Sequence, residues 1–344
     1  MTRSPLPLPK LAQLLIQKLW DRPLADCLEK GPSCTGRAIL SHSIQSAVIL
    51  EAISEGGHIT TPHRVLDGFS FRRVGRRVAT TFSGFCAAHD TALFREVDYG
   101  SLNDIDPTSP LQNSLHFLRA ISIELWKKRN SLRFMESVTD RDGDFRSACA
   151  ELGTDPDSLP PLNDFARTFS EGTYKGLNEL AEHYDIIRKM IAQNNFGQLI
   201  HYSSIIPLPP QFTLVSVLSP HDDLAGSPLY DFHEMVHQGH PMPHMALFVL
   251  PHPQGVTVIF SALRKHRFVL EPLFNQIKAL NTDELQIAVS RMILNHCENI
   301  ALRPSLIESW SKPERAEYLR LFRETIAEPR PLPSLPALNL FIGK

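Results

Sequence analysis

The stretch TFSGFCAAHD at residues 81–90 decides how the first third of the chain is interpreted. Its first five residues are the end of a segment, Val65 to Phe85, in which apolar and polar residues alternate and β-branched residues occur. This pattern predicts one or two strands. Directly after this segment stand Cys86 and His89, a thiol and an imidazole separated by two residues. A Cys-x2-His pair has the spacing of one half of a tetrahedral zinc site, in which two chain segments each deliver two ligands.

A second pair of cysteines lies closer to the N-terminus. Cys27 and Cys34 have six residues between them, which is wider than the usual gap of two to four. Gly31 and Pro32 supply a turn that can bring the two sulfurs together. His42 follows shortly after and competes for the fourth position. The favoured ligands of the predicted zinc ion are Cys27, Cys34, Cys86 and His89.

The number of protein ligands decides what such a metal does. Four protein ligands close the site and make the zinc structural, whereas three leave a position for a reacting water. The alternative is that these are ordinary buried cysteines and a surface histidine, since free cysteine is among the most buried residue types. The short Cys-x2-His spacing favours the metal.

The composition is that of an ordinary soluble globular protein, with 344 residues, 42% hydrophobic and 21% charged. The formal net charge of −2 gives no global attraction to nucleic acid or to anionic membranes. The longest apolar runs, such as Met245 to Leu250, are too short to span a bilayer, so no membrane partner is expected. Residues 1–10 lack the apolar core of a secretory signal, and five cysteines form no evident disulfide framework. We therefore expect a cytoplasmic protein.

The pattern of apolar residues predicts an α+β fold with a treble-clef-like zinc-knuckle module at residues 1–110, a helical region at 111–200 and an α+β region with a small antiparallel sheet at 201–344. Helical spacing predicts helices over residues 11–20, 44–53, 91–97, 114–135, 162–194, 270–280, 282–300 and 312–327. Short apolar runs predict strands over 212–218, 245–250 and 256–263, the last two joined by a hairpin loop. Residues 140–161, rich in Asp, Gly, Ser and Pro, are expected to form a loop.

Several short motifs together resemble a family of bacterial proteins that carries no established activity. The motifs are SHSIQ at residues 41–45, GH at 57–58 and GFCAAHD at 84–90 followed by Leu93-Phe94, with a looser match to ENI at 298–300 and RPS at 303–305. The resemblance is specific over about residues 27–98. It implies that one local arrangement contains Cys27, Cys34, His42, Cys86, His89 and Asp90.

A metal-dependent nuclease of the ββα-metal (HNH) type is one alternative for this arrangement. His42 would be the general base that activates water, and His89 or Asp90 would help to hold a divalent cation. Against this stands the helical pattern directly after His42, because the base of that motif belongs on a hairpin strand. His42 is otherwise interpreted as a histidine that supports the knuckle by hydrogen bonding.

A basic stretch leads into the Cys-x2-His pair and raises the question of nucleic acid. Arginines beside aromatic residues on a zinc module can contact phosphates and stack on bases. The alternative is a solvated sheet edge protected by charge. The candidate contacts are Arg72, Arg73, Arg76 and Arg77.

The sequence HEMVH at residues 233–237 matches the zinc-peptidase consensus. On a helix, His233 and His237 would share one face and bind zinc, while Glu234 would polarise a water. Gly239 and nearby prolines leave little room for a helix, so the match is interpreted as accidental within a histidine-rich loop. Phosphate-loop, nucleophile-elbow and dinucleotide-binding signatures are missing.

These patterns together favour a non-enzymatic, zinc-stabilised binding protein with nucleic acid as the first partner to test. The competing interpretation is a metal-dependent hydrolase, either a nuclease centred on His42 or a peptidase at His233, Glu234 and His237. Protein partners and substrate are left open by the sequence.

Overall fold

The computed structural model describes residues 10–11, 14–15, 18–19, 26–29, 34–65, 68–159, 163–231, 234–235, 239–327 and 339–342. The strands along these residues are β1 (Ile39–His42), β2 (His58–Val65), β3 (Gly68–Gly75), β4 (Thr81–Phe85), β5 (Leu199–Ile206), β6 (Phe212–Leu218), β7 (Met245–His252), β8 (Gly255–Leu263) and β9 (Ile300–Leu302). The helices are α1 (Glu51–Ile53), α2 (Ala87–Phe94), α3 (Pro110–Asp140), α4 (Gly143–Glu151), α5 (Asn163–Ala192), α6 (Arg267–Ala279), α7 (Thr282–His296), α8 (Pro304–Ser309) and α9 (Lys312–Ala327).

An antiparallel sheet with the strand order β3-β2-β9-β6-β7-β8-β5 forms the centre of the described structure. β7 and β8 make a hairpin that closes at the pair His252 and Gly255. The short strand β9 joins the two parts of the sheet, because Leu302 is opposite Thr60 on one side and Phe212 on the other. The sheet therefore combines strands that are far apart in sequence.

Both faces of this sheet are buried. Along β7, Ala246, Phe248 and Leu250 belong to one hydrophobic core, and the alternate residues Met245, Leu247 and Val249 belong to the other. Helices α3 and α5 contribute to the first core, and α6, α7 and α9 contribute to the second. A strand that is buried on both faces has a continuous apolar sequence, which is the pattern seen in residues 245–250.

A second, two-stranded sheet pairs β1 with β4 in the antiparallel sense and leads into α2. Phe82 and Phe85 of β4 and Phe94 of α2 are fully buried. They belong to the same core as α3 and α5, so the small sheet packs on that side of the molecule.

The prediction of a mixed helical and sheet protein with a C-terminal antiparallel sheet is confirmed. The loop predicted over residues 140–161 is wrong in part, because 143–151 form α4. The Asp142 side chain accepts a hydrogen bond from the Phe145 amide at 2.9 Å, and Phe145, Ala148 and Cys149 are buried. These contacts stabilise α4 even though the segment is rich in Asp, Gly, Ser and Pro.

The large sheet pairs β2 of the first predicted region with β9 of the third. The division into residues 1–110, 111–200 and 201–344 itself stays a prediction. Among the helices that the structure describes, none has both the length and the apolar character needed to cross a membrane.

Candidate metal centre

Two chain segments deliver the candidate ligands to one place. Cys27 lies in a segment that the Leu28 amide fixes to β4, by donating to the Gly84 carbonyl at 2.7 Å. The next residue, Glu29, accepts hydrogen bonds from Tyr184 and Arg188 of α5, each at 2.5 Å. The first segment is therefore held between β4 and α5.

The second segment is the start of α2. Cys86 is the residue before the first helical residue, with an extended backbone, and His89 lies in the first turn. Two intervening residues therefore place both side chains at the same helix end. The Cys86 amide donates to the Cys27 sulfur at 3.2 Å, which joins the two segments directly.

The four donor atoms of Cys27, Cys34, Cys86 and His89 all lie within 4.8 Å of one another. The Nδ1 atom of His89 is 3.3 Å from the Cys27 sulfur and 3.4 Å from the Cys86 sulfur. Ligands on one tetrahedral zinc ion, with bonds of about 2.0–2.3 Å, are separated by about 3.3–3.8 Å. The arrangement is thus a geometry that can hold a metal ion.

The four candidate ligands are largely shielded from solvent. Cys27, Cys86 and His89 are buried, and Cys34 is half-buried. Burial raises the pKa of Cys27, whereas hydrogen bonds from Thr35 and from the His89 amide lower the pKa of Cys86. The sequence patterns did not identify Thr35 as a hydrogen-bond partner of Cys86, although Thr35 directly follows the candidate ligand Cys34.

His42 is not one of the four members of this group, but it interacts with Asp90, the residue after His89. It is the last residue of β1, and its Nε2 atom is buried without a hydrogen-bond partner. Burial lowers the pKa of His42 and raises that of Asp90, whose Oδ1 atom also lacks a partner. His42 is therefore on a strand, the helical residues predicted after it begin at Ser46, and its Nε2 atom is shielded from solvent.

The four candidate arginines do not share one surface. Arg72 and Arg73 are exposed neighbours on β3, so their side chains leave opposite faces of the strand. Arg76 forms an ion pair with Glu51 and donates to the Ser46 carbonyl at 3.0 Å.

Arg77 is exposed, just beyond β3. β3 is at the edge of the large sheet. A solvated edge strand is thus present, with two of the four arginines exposed on it and a third exposed just beyond its end.

His233 and His237 of the HEMVH sequence lie outside the described residues. Glu234 and Met235 between them are helical. The segment belongs to the connection between β6 and β7.

No family model matches the chain, and searches of curated proteins and of solved structures also give no match.

Proposed function

We propose that Cys27, Cys34, Cys86 and His89 bind a zinc ion in a closed, structural site. The observation that carries the proposal is the mutual approach of the four donor atoms to within 4.8 Å. Three thiolates and one imidazole are a common donor set of structural zinc sites. With four protein ligands there is no position for a reacting water.

The order of elements supports a treble-clef-like arrangement around this ion. Cys27 and Cys34 precede the β1–β4 pair in the chain, Cys86 directly precedes α2, and His89 lies in the first turn of α2. Residues 43–80 are inserted between the two strands. The ion would fasten the segment around Cys27 to β4 and α2, and so to the core that these elements share with α3.

Metal analysis of the purified full-length protein tests the site. Cys86→Ser should remove one molar equivalent of zinc, whereas Cys149→Ser should not, because Cys149 is buried in a separate cluster with Phe145 and Ala148. Equal zinc content in wild type and Cys86→Ser would refute the assignment.

We further propose that the protein acts as a non-enzymatic binding protein whose partner is nucleic acid. The support is the exposure of Arg72 and Arg73 on the edge strand β3 and of Arg77 just beyond it, where guanidinium groups can contact phosphates. Binding of this kind weakens as salt concentration rises, because counterions are released from the nucleic acid.

Fluorescence anisotropy with labelled RNA and DNA at several salt concentrations measures this binding. Arg72→Gln and Arg77→Gln should each weaken it and reduce its salt dependence. Arg320→Gln is the control, because the Arg320 side chain is engaged by Glu317 and Glu324 on α9. Absence of salt-dependent binding in the wild type rejects the proposed partner and leaves the zinc site unaffected.

A further inference from the structure

Three histidines and a glutamate, none of them a member of the cysteine group, meet at one end of the large sheet. His244 directly precedes β7, and His266 ends the helical turn that follows β8. Glu179 and His183 are one turn apart on α5. All four residues are at least nine-tenths buried.

The hydrogen bonds of His183 fix which of its nitrogen atoms carries a lone pair. Its Nδ1 atom is 2.7 Å from the Glu179 backbone carbonyl, which can only accept, so Nδ1 carries the proton. Its Nε2 atom therefore presents a lone pair, and the Nε2 atom of His266 lies 2.8 Å away. A histidine whose second nitrogen donates to a backbone carbonyl is oriented as metal-binding histidines are.

His244 has one ring nitrogen engaged by a hydroxyl and the other directed at Glu179. Its Nδ1 atom is 2.7 Å from the hydroxyl of Ser219, which directly follows β6. Its Nε2 atom is buried without a hydrogen-bond partner and lies 3.4 Å from Oε2 of Glu179. Two ligands of one tetrahedral ion are separated by about 3.4 Å, since the bonds to nitrogen and oxygen are about 2.0–2.2 Å long.

Glu179 also lacks a full set of partners, because its Oε1 atom is buried and accepts no hydrogen bond. An ionised carboxylate buried in this way is costly unless a cation neutralises it. A divalent ion would supply that charge; it would bind Glu179 directly, and His244 through Nε2 in the tautomer whose Nδ1 proton is donated to Ser219.

We propose that Glu179, His183, His244 and His266 form a second metal site for a divalent transition-metal ion such as zinc. The donor atoms stand in two close pairs, and the ion would draw the pairs together. It would replace the hydrogen bond between His183 and His266, whose nitrogens would move from 2.8 Å to about 3.3 Å apart. His266 would then carry its proton on Nδ1. Imidazole and carboxylate donors suit zinc, iron, nickel and manganese.

Metal analysis of the full-length protein tests this site independently of the cysteines. The wild type should hold two equivalents of zinc, and His183→Gln and Cys86→Ser should each lose a different one. His201→Gln, a half-buried histidine of β5, is the matched control and should keep both. A second equivalent that survives His183→Gln, or one that is lost with His233→Gln, would overturn the assignment.

Cobalt(II) titration of the unaltered protein gives a test that needs no variant to fold. Thiolate ligands produce an intense near-ultraviolet charge-transfer band, which histidine and glutamate ligands do not. The first equivalent should raise this band, and the second should add only visible d–d absorption. If the second equivalent also raises the thiolate band, or does not bind, the second site does not exist.

Discussion

Gly84 shows how tightly the strand before the metal centre is packed. A Cβ atom at this position would lie 2.2 Å from Cε2 of Phe82. The Phe82 ring is itself enclosed by Phe85 and Trp126, at centroid distances of 6.2 and 6.1 Å. The Gly84 carbonyl also accepts the hydrogen bond from Leu28. The position therefore requires both a fixed backbone and the absence of a side chain.

We expect Gly84→Ala to lower the free energy of unfolding by about 1–3 kcal/mol, the range for overpacking a well-packed core. Gly172→Ala is the matched control, because a Cβ atom at Gly172 on α5 meets nothing within 4 Å. Alanine should stabilise that helical position by about 0.5–1 kcal/mol. Urea denaturation followed by circular dichroism measures both, and shifts in the same direction would contradict the prediction.

His116 couples stability to pH. It is almost fully buried, and burial together with the charge of Arg119 lowers its pKa to about 3. Its Nε2 atom hydrogen-bonds the Tyr99 hydroxyl at 2.8 Å. The unfolded chain protonates this histidine near pH 6.5, whereas the folded protein keeps it neutral until much lower pH. The stability that depends on its neutral form is therefore complete above pH 6.5 and is lost as the pH falls toward 3.

The loss should be about 1.4 kcal/mol per pH unit, or about 2 kcal/mol at pH 5 relative to pH 7.5. His116→Gln cannot titrate in this range, so the difference in unfolding free energy between pH 7.5 and pH 5 should shrink by about that amount. Urea denaturation at both pH values gives the comparison. An unchanged pH dependence in the variant would show that other groups cause it.

At the scale of elements, Arg303 links the end of β9 to α1 and to the connection between β5 and β6. Its guanidinium donates to the Ala52 carbonyl at 2.9 Å and to the Pro210 carbonyl at 3.0 Å. Glu55, which lies 3.8 Å from Arg303, accepts hydrogen bonds from the amide and hydroxyl of Ser305. The RPS sequence at 303–305 is thus a structural connection between distant segments.

Arg303→Gln should lower the free energy of unfolding by about 1–3 kcal/mol, because two backbone carbonyls lose their donor. Arg303→Lys should recover only part of this loss, since a single ammonium does not match the fork of the guanidinium. Arg320→Gln on the surface of α9 should change stability by at most about 0.5 kcal/mol. Equal effects at the two positions, measured by thermal unfolding, would rule out the structural role of Arg303.

Sequence patterns predicted those elements whose structure depends on local information. The continuous apolar runs at 212–218, 245–250 and 256–263 match β6, β7 and β8, because a doubly buried strand leaves a direct trace in the sequence. The Cys-x2-His pair was found because both residues come from one helix end. The group around His183 was missed, since its members come from separate segments and share no spacing.

At the scale of the whole molecule, the proposed zinc ion should stabilise one part of the structure more than another. Cys86→Ser should increase amide hydrogen exchange in 34–42 and 81–94, because the two segments lose their common ligand. Exchange in 245–263 should change less, since the alternate residues of β7 and β8, such as Leu247 and Val258, belong to the second core, which contains neither Cys86 nor β4. Exchange measured by mass spectrometry distinguishes these regions, and Cys149→Ser serves as the cysteine control. A uniform increase over the chain would contradict a local role.

The sequence patterns did not predict the pairing of β2 with β9. Thr60 and Leu302 lie opposite each other in the sheet, yet nothing in the sequence around either residue indicates the other as its partner. β9 is only three residues long, and its first residue, Ile300, was assigned to the end of the helix predicted over 282–300. Long-range pairing of this kind is decided by the packing of both sheet faces, which local periodicity does not encode.

The position of β9 has a consequence for the order in which the protein folds during synthesis. The hairpin of β2 and β3 leaves the ribosome long before residues 300–302, and until they arrive β2 lacks its second neighbour and β6 lacks one of its two. Exposed strand edges of this kind promote association between chains. Because contacts that span most of the chain also slow folding, the last step should be the insertion of β9 between two preformed halves of the sheet.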